Sequence, residues 1–324
     1  MQMRPYRRVG QWLELHLADL LTRSAFESDT RKQMEDSLPE AGSHPHIVRQ
    51  WLLAHSLFPV KWINRLFSVG GIKWEGDAVR LLAFPAVHII NDPLYRIAQL
   101  GAHAAVPQPT VLYDDDFCMV WNKSAGMPVH ESYKGQSGTL DEAAARHQLL
   151  ADDPLPIRHI HRLDDDTSGP VLYAKNDLAQ WSLDEAMRKK EIDRRYIAVV
   201  HGRLALLSGT VNVPIGKDRH HSSRRHAGAG GDQAITHYET VETYKHASIV
   251  RLRLETGRTH QIRVHMSYLG HPLIGDRLYG GDDSLLPHQA LHGERLTFVH
   301  PWSGELTEVY APEPDWLAKL LTKL

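Results

Sequence analysis

The chain has 324 residues, a formal net charge of −2, 42% apolar and 23% charged residues, and one cysteine, Cys118. This is the composition of a soluble globular protein with length for about two domains. It excludes an internal disulfide, a Cys-based zinc site and a molecule that is basic throughout. No run approaches a membrane span and residues 1–10 lack the apolar core of a signal peptide, so the expected location is the cytoplasm.

Residues 1–44 read as a partly helical, linker-like extension. Leu13, Leu15, Leu17, Leu20 and Leu21 give 12–21 a helical spacing, and 23–44 is polar, with Pro39, Gly42 and Ser43 near its end. Residues 45–108 read as a small separate unit. Helices are predicted over 47–57 and 60–67, then a Gly70-Gly71 break, then strands over 72–74 and 79–84. Two short helices before a Gly-led hairpin resemble the alpha-L RNA-binding motif, to which Lys61, Arg65 and Lys73 would bring charge. A structural cap is the alternative use of the same pattern.

From Thr110 hairpins predominate, which predicts an α+β class with a mixed, mainly antiparallel central sheet. Residues 111–121 form a hairpin around Asp114-Asp115-Asp116, and 138–149 a helix. Apolar runs at 155–160 and 171–174 then flank His161-Arg162-Leu163-Asp164-Asp165-Asp166-Thr167-Ser168-Gly169. A charge cluster between two strands belongs on a loop at a sheet edge, where rigid scaffolds often present catalytic groups. Three adjacent aspartates are equally what a solvated loop contains. A helix over 177–190, a strand over 196–200 and a strand over 209–214 follow. Residues 216–232 read as a mobile, glycine-rich loop. From Arg188 to Arg225 there are ten Lys/Arg against three acids, +7 in a chain of net −2. Such a concentration favours a polyanionic substrate.

Strands over 234–244 and 248–254 pair as a hairpin, and Thr256-Gly257 turns the chain. Thr259 is placed to cap a helix that carries Ile262, Met266 and Leu269 on one face and ends at Gly270. Arg263 falls in its first turn, where the helix dipole disfavours a cation, so an anionic partner is expected. A hairpin over 292–310 and a helix over 316–321 follow.

The candidate metal pairs among 22 histidines are His159 with His161 and His260 with His265. Neither spacing matches a zinc motif, and no metal is expected. Ser168 has no Gly-x-Ser-x-Gly elbow, and no phosphate-binding Gly-x-x-x-x-Gly-Lys occurs. What remains is a carboxylate acting as nucleophile or base, held ionised by an arginine. Spacing alone does not choose the pair.

His161-Arg162-Leu163-Asp164-x-x-Thr167-Ser168-Gly169 resembles the signature of the RluA-type pseudouridine synthases, which isomerise uridine in ribosomal and transfer RNA. Asn122-Lys123-Ser-Ala-Gly126-Met-Pro-Val-His130, Arg195-Tyr196-Ile-Ala198-Val-Val-His-Gly202, Thr256-Gly-Arg-Thr-His-Gln-Ile-Arg263-Val-His265, Gly275-Asp276-x-x-Tyr279-Gly280 and Phe298-x-His300-Pro301 are similar to its other motifs, in order, across 111–312. Ser124 departs from the family's usual proline and Pro170 from its usual aliphatic residue.

The resemblance implies a pseudouridine synthase fold over 109–324, preceded by the alpha-L-like domain, and an isomerisation that needs no cofactor. It implies that Asp164 is the catalytic carboxylate, Tyr196 stacks on the target base, Arg263 pairs with Asp164, and Arg162 enters the RNA helix as the uridine is extruded. His161, Lys123, Arg258, His260 and Gln261 are expected to contact RNA, as are Lys217, Arg219, Arg224 and Arg225 of the basic segment. The expected partner is ribosomal or transfer RNA, bound by a monomer. Two rival classes fit parts of the pattern: a non-catalytic RNA-binding or ribosome-assembly protein of the same fold, and a histidine-based metallohydrolase.

Overall fold

Leu13 and Leu15 alternate with polar neighbours, and that period of two decides the first element. In the computed structural model, which describes residues 6–22, 28–100, 108–133 and 136–324, β1 (Arg7–Val9) and β2 (Trp12–Leu15) form a hairpin, and a 3-10 helix spans Leu17–Thr22. Both leucines are buried on one face, so the helix expected over 12–21 is corrected. Residues 1–44 are expected to be a partly helical, linker-like extension. Helix α1 (Ser28–Asp36) falls within it, and α2 (Pro45–Ala54), α3 (Val60–Ser68), β3 (Ile72–Glu75) and β4 (Ala78–Leu81) follow. The sheet order is β1-β2-β4-β3, with Leu13 opposite Leu81 and Leu15 opposite Val79. Strand pairing therefore crosses residue 44.

This first sheet is built into the rest of the molecule. The Arg8 guanidinium donates to both Asp153 carboxylate oxygens (2.7 and 2.5 Å) and to Asp116 (3.2 Å). Arg65 of α3 is ion-paired with Asp177, and the Lys73 ammonium lies over the Trp12 ring at 5.0 Å. One apolar core runs from Leu13, Leu52 and Trp62 through Phe117 and Leu172 to Leu296 and Trp302.

Helix α4 (Pro93–Leu100) leads into the second sheet. Its strands are β5 (Thr110–Asp114), β6 (Cys118–Lys123), β7 (Arg158–His159) and β8 (Gly169–Ala174), in the order β5-β6-β8-β7, with α5 (Leu140–Leu150) between β6 and β7. Helix α6 (Asp177–Lys189) then passes to the third sheet. That sheet is formed by β9 (Asp193–His201), β10 (Ser208–Asn212), β13 (Ile235–Thr243), β14 (Ala247–Leu254), β15 (Leu291–Val299) and β16 (Leu306–Tyr310), in the order β10-β13-β14-β9-β15-β16. Between β10 and β13, β11 (Ile215–Lys217) and β12 (Arg225–Ala227) make a two-stranded ribbon where a loop was expected. Helix α7 (Gln261–Tyr268) follows β14, and α8 (Asp315–Leu321) follows β16. No helix among the described residues is long and apolar enough to cross a membrane.

Among the described residues the strand ladders are all antiparallel. A parallel bridge, Ser168 with His292, joins the second and third sheets. There Gly293 N–H donates to the Ser168 carbonyl (2.8 Å), and Ser168 Oγ meets His292 Nδ1 (2.8 Å). Gly169 has φ +124°, and a Cβ on it would lie 2.6 Å from the Gly293 backbone. The sheets can approach this closely only because both residues lack a side chain. Gly169→Ala is therefore expected to cost on the order of 2–5 kcal/mol, from backbone strain plus overpacking, measured as a drop in the midpoint of urea denaturation.

Candidate active site

The acidic loop connects β7 to β8, and its shape is set from beneath. Lys123, at the end of β6, is 0% exposed. Its ammonium donates to the carbonyls of Asp165 (2.6 Å), Met127 (2.6 Å) and Ser124 (3.0 Å). Burial brings its pKa down to about 8, against the pull of Asp165, Asp164 and Asp166. His161 is also buried, and its Nε2 accepts the Leu172 N–H (3.2 Å) of β8. Burial, with Arg194 and His159 nearby, pushes His161 down to about 3, so the ring is neutral. The Thr167 N–H closes a turn onto the Asp164 carbonyl (3.0 Å). These bonds leave Asp165 and Asp166 in solvent and Asp164 half-buried, facing the third sheet.

Facing it is Arg263, on the first turn of α7. Its guanidinium makes two bonds to Asp276 (Nε–Oδ2 2.7 Å, Nη2–Oδ1 2.9 Å) and a third, from Nη1, to Asp164 Oδ2 (3.0 Å). The Asp276 side chain is 1% exposed and that of Arg263 9%, while Asp164 retains 26%. Burial would lower the Arg263 pKa; Asp276 and then Asp164 outweigh it and raise it. The anionic partner expected from the helix position is present twice over. The Tyr279 ring lies 5.0 Å from the same guanidinium. Its hydroxyl accepts the Arg225 N–H (2.9 Å) of β12 and meets His260 Nδ1 at 2.8 Å. His260 Nε2 is 3.9 Å from Asp164 Oδ2. Burial lowers the His260 pKa, with Asp164 opposing and Arg263 and Arg225 reinforcing. The helix begins at His260, which has φ +57° and no side-chain cap, so the cap expected at Thr259 is corrected.

Asp164 lies on the wall of a cleft of about 740 Å³ that also exposes Arg162, Arg188, Lys190, Arg194 and Arg258. A recess of about 80 Å³ opens beside it, lined by Tyr196 of β9, Leu163, Ile262, Leu291 and the Asp164–Arg263 pair. A recess that sets a phenol ring and a carboxylate beside Arg162, Arg194, Arg258 and His260 suits a flat, polar heterocycle removed from its stack. Of the expected RNA contacts, His161, Arg162, Arg258 and His260 line the cleft and Gln261 the recess. Lys217, Arg219 and Arg224 are exposed on the ribbon, which is held to the site through Arg225 and Tyr279. Three of the expected contacts are also engaged inside the fold. Lys123 bonds carbonyls of the loop, and His161 accepts from the Leu172 N–H of β8. Gln261 is 3% exposed, accepting from the Arg258 N–H and Thr256 Oγ1 and donating to the Ile235 carbonyl and Thr236 Oγ1.

The histidine pairs considered for metal are dispersed into hydrogen bonds: His159 with Asp141 (3.1 Å), His265 with Thr236 (2.8 Å) and the Val213 carbonyl (2.9 Å). Among the described residues one group of metal-ligand type is close-set, Asp115, Cys118 and His300. Asp115 Oδ1 accepts the Phe117 and Cys118 N–H groups, and Oδ2 accepts from Tyr113 and His300 (2.7 Å). His300 Nδ1 accepts two backbone N–H groups, so Nε2 carries the proton given to Asp115. The carboxylate is thus saturated by donors that pin the β15–β16 turn to β5–β6.

A family model described as RNA pseudouridylate synthase matches residues 117–268. The uncharacterized RNA pseudouridine synthase YjbO of Bacillus subtilis is 41% identical over 258 residues, covering 79% of this chain and 91% of that protein. This chain belongs to the RNA pseudouridine synthase family. Its enzymes isomerise uridine to pseudouridine in RNA, and the motif resemblance to the RluA type agrees. A second synthase of the same organism, the uncharacterized YhcT, is 45% identical over 206 residues (63% of this chain, 68% of that protein). Ribosomal large subunit pseudouridine synthase D of Xylella fastidiosa is 40% identical over 238 residues (68% and 71%). Among solved structures, human RNA Pseudouridylate Synthase Domain Containing 1 superposes with a TM-score of 0.53 at 26% identity, covering 64% of this chain and 84% of that one.

Two residues of this synthase's site had no role assigned from the sequence, Asp276 and Tyr279. Both lie in the Gly275-Asp276-x-x-Tyr279-Gly280 motif, and the signal that could have found Asp276 is the missing anion for Arg263. A pH effect follows from His161. Between pH 6.5 and about 3 the unfolded chain binds a proton at this ring that the folded chain refuses. Stability present above pH 6.5 is therefore lost on acidification, by about 1.4 kcal/mol per pH unit for one such group. Denaturation midpoints taken from pH 7 to pH 4 should fall less steeply for His161→Gln than for the parent.

Proposed function

We propose that this synthase converts specific uridines of ribosomal RNA to pseudouridine, with Asp164 as the reacting carboxylate and Tyr196 as the platform for the target base. The observation that carries this reading is Asp164 itself, a half-open carboxylate tethered by a buried arginine at the mouth of an aromatic-lined recess. The choice of ribosomal RNA rests on relatives named ribosomal large subunit pseudouridine synthase D, 35–40% identical to this chain.

The chemistry follows from the geometry. Arg263, fixed by Asp276, holds Asp164 aimed at the recess through a charge-assisted hydrogen bond. The uridine leaves its stack at a cost of a few kcal/mol and lies against Tyr196, with Arg162 at the rim. The N1–C1′ bond breaks with its electron pair left on N1, the uracil turns, C5 bonds to C1′ and releases its proton, and N1 takes one up from water. Asp164 serves either by adding to the base or by removing a proton from the sugar; both routes need the same placement. The cations of the cleft wall and the β11–β12 ribbon hold the phosphates on either side.

RNA labelled with tritium at uridine C5 tests the assignment. Asp164→Ala should bind RNA and release no tritium above background; sustained release would end the role given to Asp164. Ribosomal RNA from cells lacking the gene should miss at least one pseudouridine, and an intact pattern would remove ribosomal RNA as the substrate. Replacing Arg224 and Arg225 by Ala should weaken RNA binding and flatten the slope of log K against log salt by about 1–2.

A further inference from the structure

His260 combines three features that its place in the chain does not require. It holds a left-handed φ of +57°, one of four non-glycine residues to do so among the described residues, a conformation that is uncommon and clusters at functional sites. Its ring lines both the cleft and the recess. Its tautomer is also fixed from behind. The Tyr279 oxygen accepts the Arg225 N–H, and among the described residues the one acceptor in reach of the hydroxyl proton is His260 Nδ1. Nδ1 is then the acceptor, and the ring proton sits on Nε2. Among the described residues Nε2 makes no hydrogen bond; Asp164 Oδ2, at 3.9 Å, is too far.

We propose that His260 is a catalytic residue of this synthase, a neutral Nε2–H donor to a uracil carbonyl oxygen, and that Tyr279 is the positioning residue that fixes its tautomer. The proposal rests on the reading of the recess as the uridine site. It adds a group that stabilises charge on the base. When N1–C1′ breaks, its electron pair stays on N1 and spreads to O2 and O4; when a carboxylate adds to the ring, negative charge again reaches a carbonyl oxygen. A donor at that oxygen lowers the barrier on either route and transfers no proton. A neutral imidazole suits the task, since an imidazolium 3.9 Å from Asp164 would compete with the base for the carboxylate. Because the Tyr279 hydroxyl is shared with the Arg225 backbone, the ribbon that meets the phosphates also holds the donor in register.

Single-turnover tritium release at saturating enzyme, beside RNA binding by filter retention, tests this. His260→Ala should slow release about 100-fold, as for the loss of one oxyanion-type donor, with RNA affinity within about twofold. Tyr279→Phe should slow release in the parent and add nothing in the His260→Ala background. The nitrogen-15 imidazole spectrum of the parent protein, which depends on no variant folding, should show His260 as the neutral Nε2–H tautomer at pH 7. An unchanged rate in His260→Ala, a loss confined to affinity, multiplicative effects in the double variant, or an Nδ1–H or charged ring would each overturn the proposal. If Asp164→Ala is inactive while His260→Ala is not, only the donor role falls; if Asp164→Ala is active, the reading of the recess falls with it.

Discussion

A buried guanidinium holds this protein's site together. Arg263 is bonded on two nitrogens to a carboxylate that sees no solvent and on the third to one that does. Two anions against one cation leave the outer carboxylate's charge only partly matched, and that carboxylate is the one facing the cleft. Breaking such a buried set typically costs about 3–5 kcal/mol, so α7, the turn carrying Asp276, and the loop carrying Asp164 are obliged to stay in register. Asp164 comes from the loop between β7 and β8 of the second sheet, and Arg263 from α7, which follows β14 of the third. The bond between them doubles as a clasp across the seam where Gly169 meets Gly293.

Around this clasp, polar side chains divide into those that meet solvent and those that finish the backbone. Lys123, His161 and Gln261 are of the second kind, each satisfying peptide groups that the loops turn inward. The loops on either side of Asp164 are thus stiffened by side chains inside the fold. A carboxylate held at one place on a cleft wall gains from such stiffness, because small misplacements of a reacting group are expensive in rate.

That division also explains which parts of the site were legible in the sequence. Asp164, Tyr196 and Arg263 sit in motifs whose residue types and order are unusual, and the helix dipole argument already called for an anion near Arg263. Lys123, His161 and Gln261 lie in the same motifs and carry the same chemical labels as the exposed cations of the cleft. Whether a polar group faces a peptide or a ligand depends on tertiary placement, and neither composition nor spacing encodes it. The α+β class and the hairpins from 110 onward were readable from alternation and turns. The N-terminal hairpin was not, because Leu13, Leu15, Leu17, Leu20 and Leu21 satisfy a period of two at one end and a helical period at the other. Pairing with β4, some 65 residues downstream, settles the choice. The ribbon over 215–227 was obscured by its glycines and arginines, which suggest mobility until the Ile215–Ala227 pairing is seen.

The ring stack at the far side of the core has a temporal consequence. Trp302 lies flat on Phe117 (5.4 Å) and takes the edge of Tyr6 (5.1 Å). Tyr6 emerges from the ribosome long before Trp302 is made. At roughly 5–20 residues per second the early hairpin waits on the order of tens of seconds for the ring that completes its packing. During that wait Leu13 and Leu15 have the earlier-made members of the same core, Leu52, Trp62, Val79, Phe117 and Leu172, to pack with. The last hairpin, with Leu296, Phe298, Trp302 and Val309, supplies the members of that core that are made last.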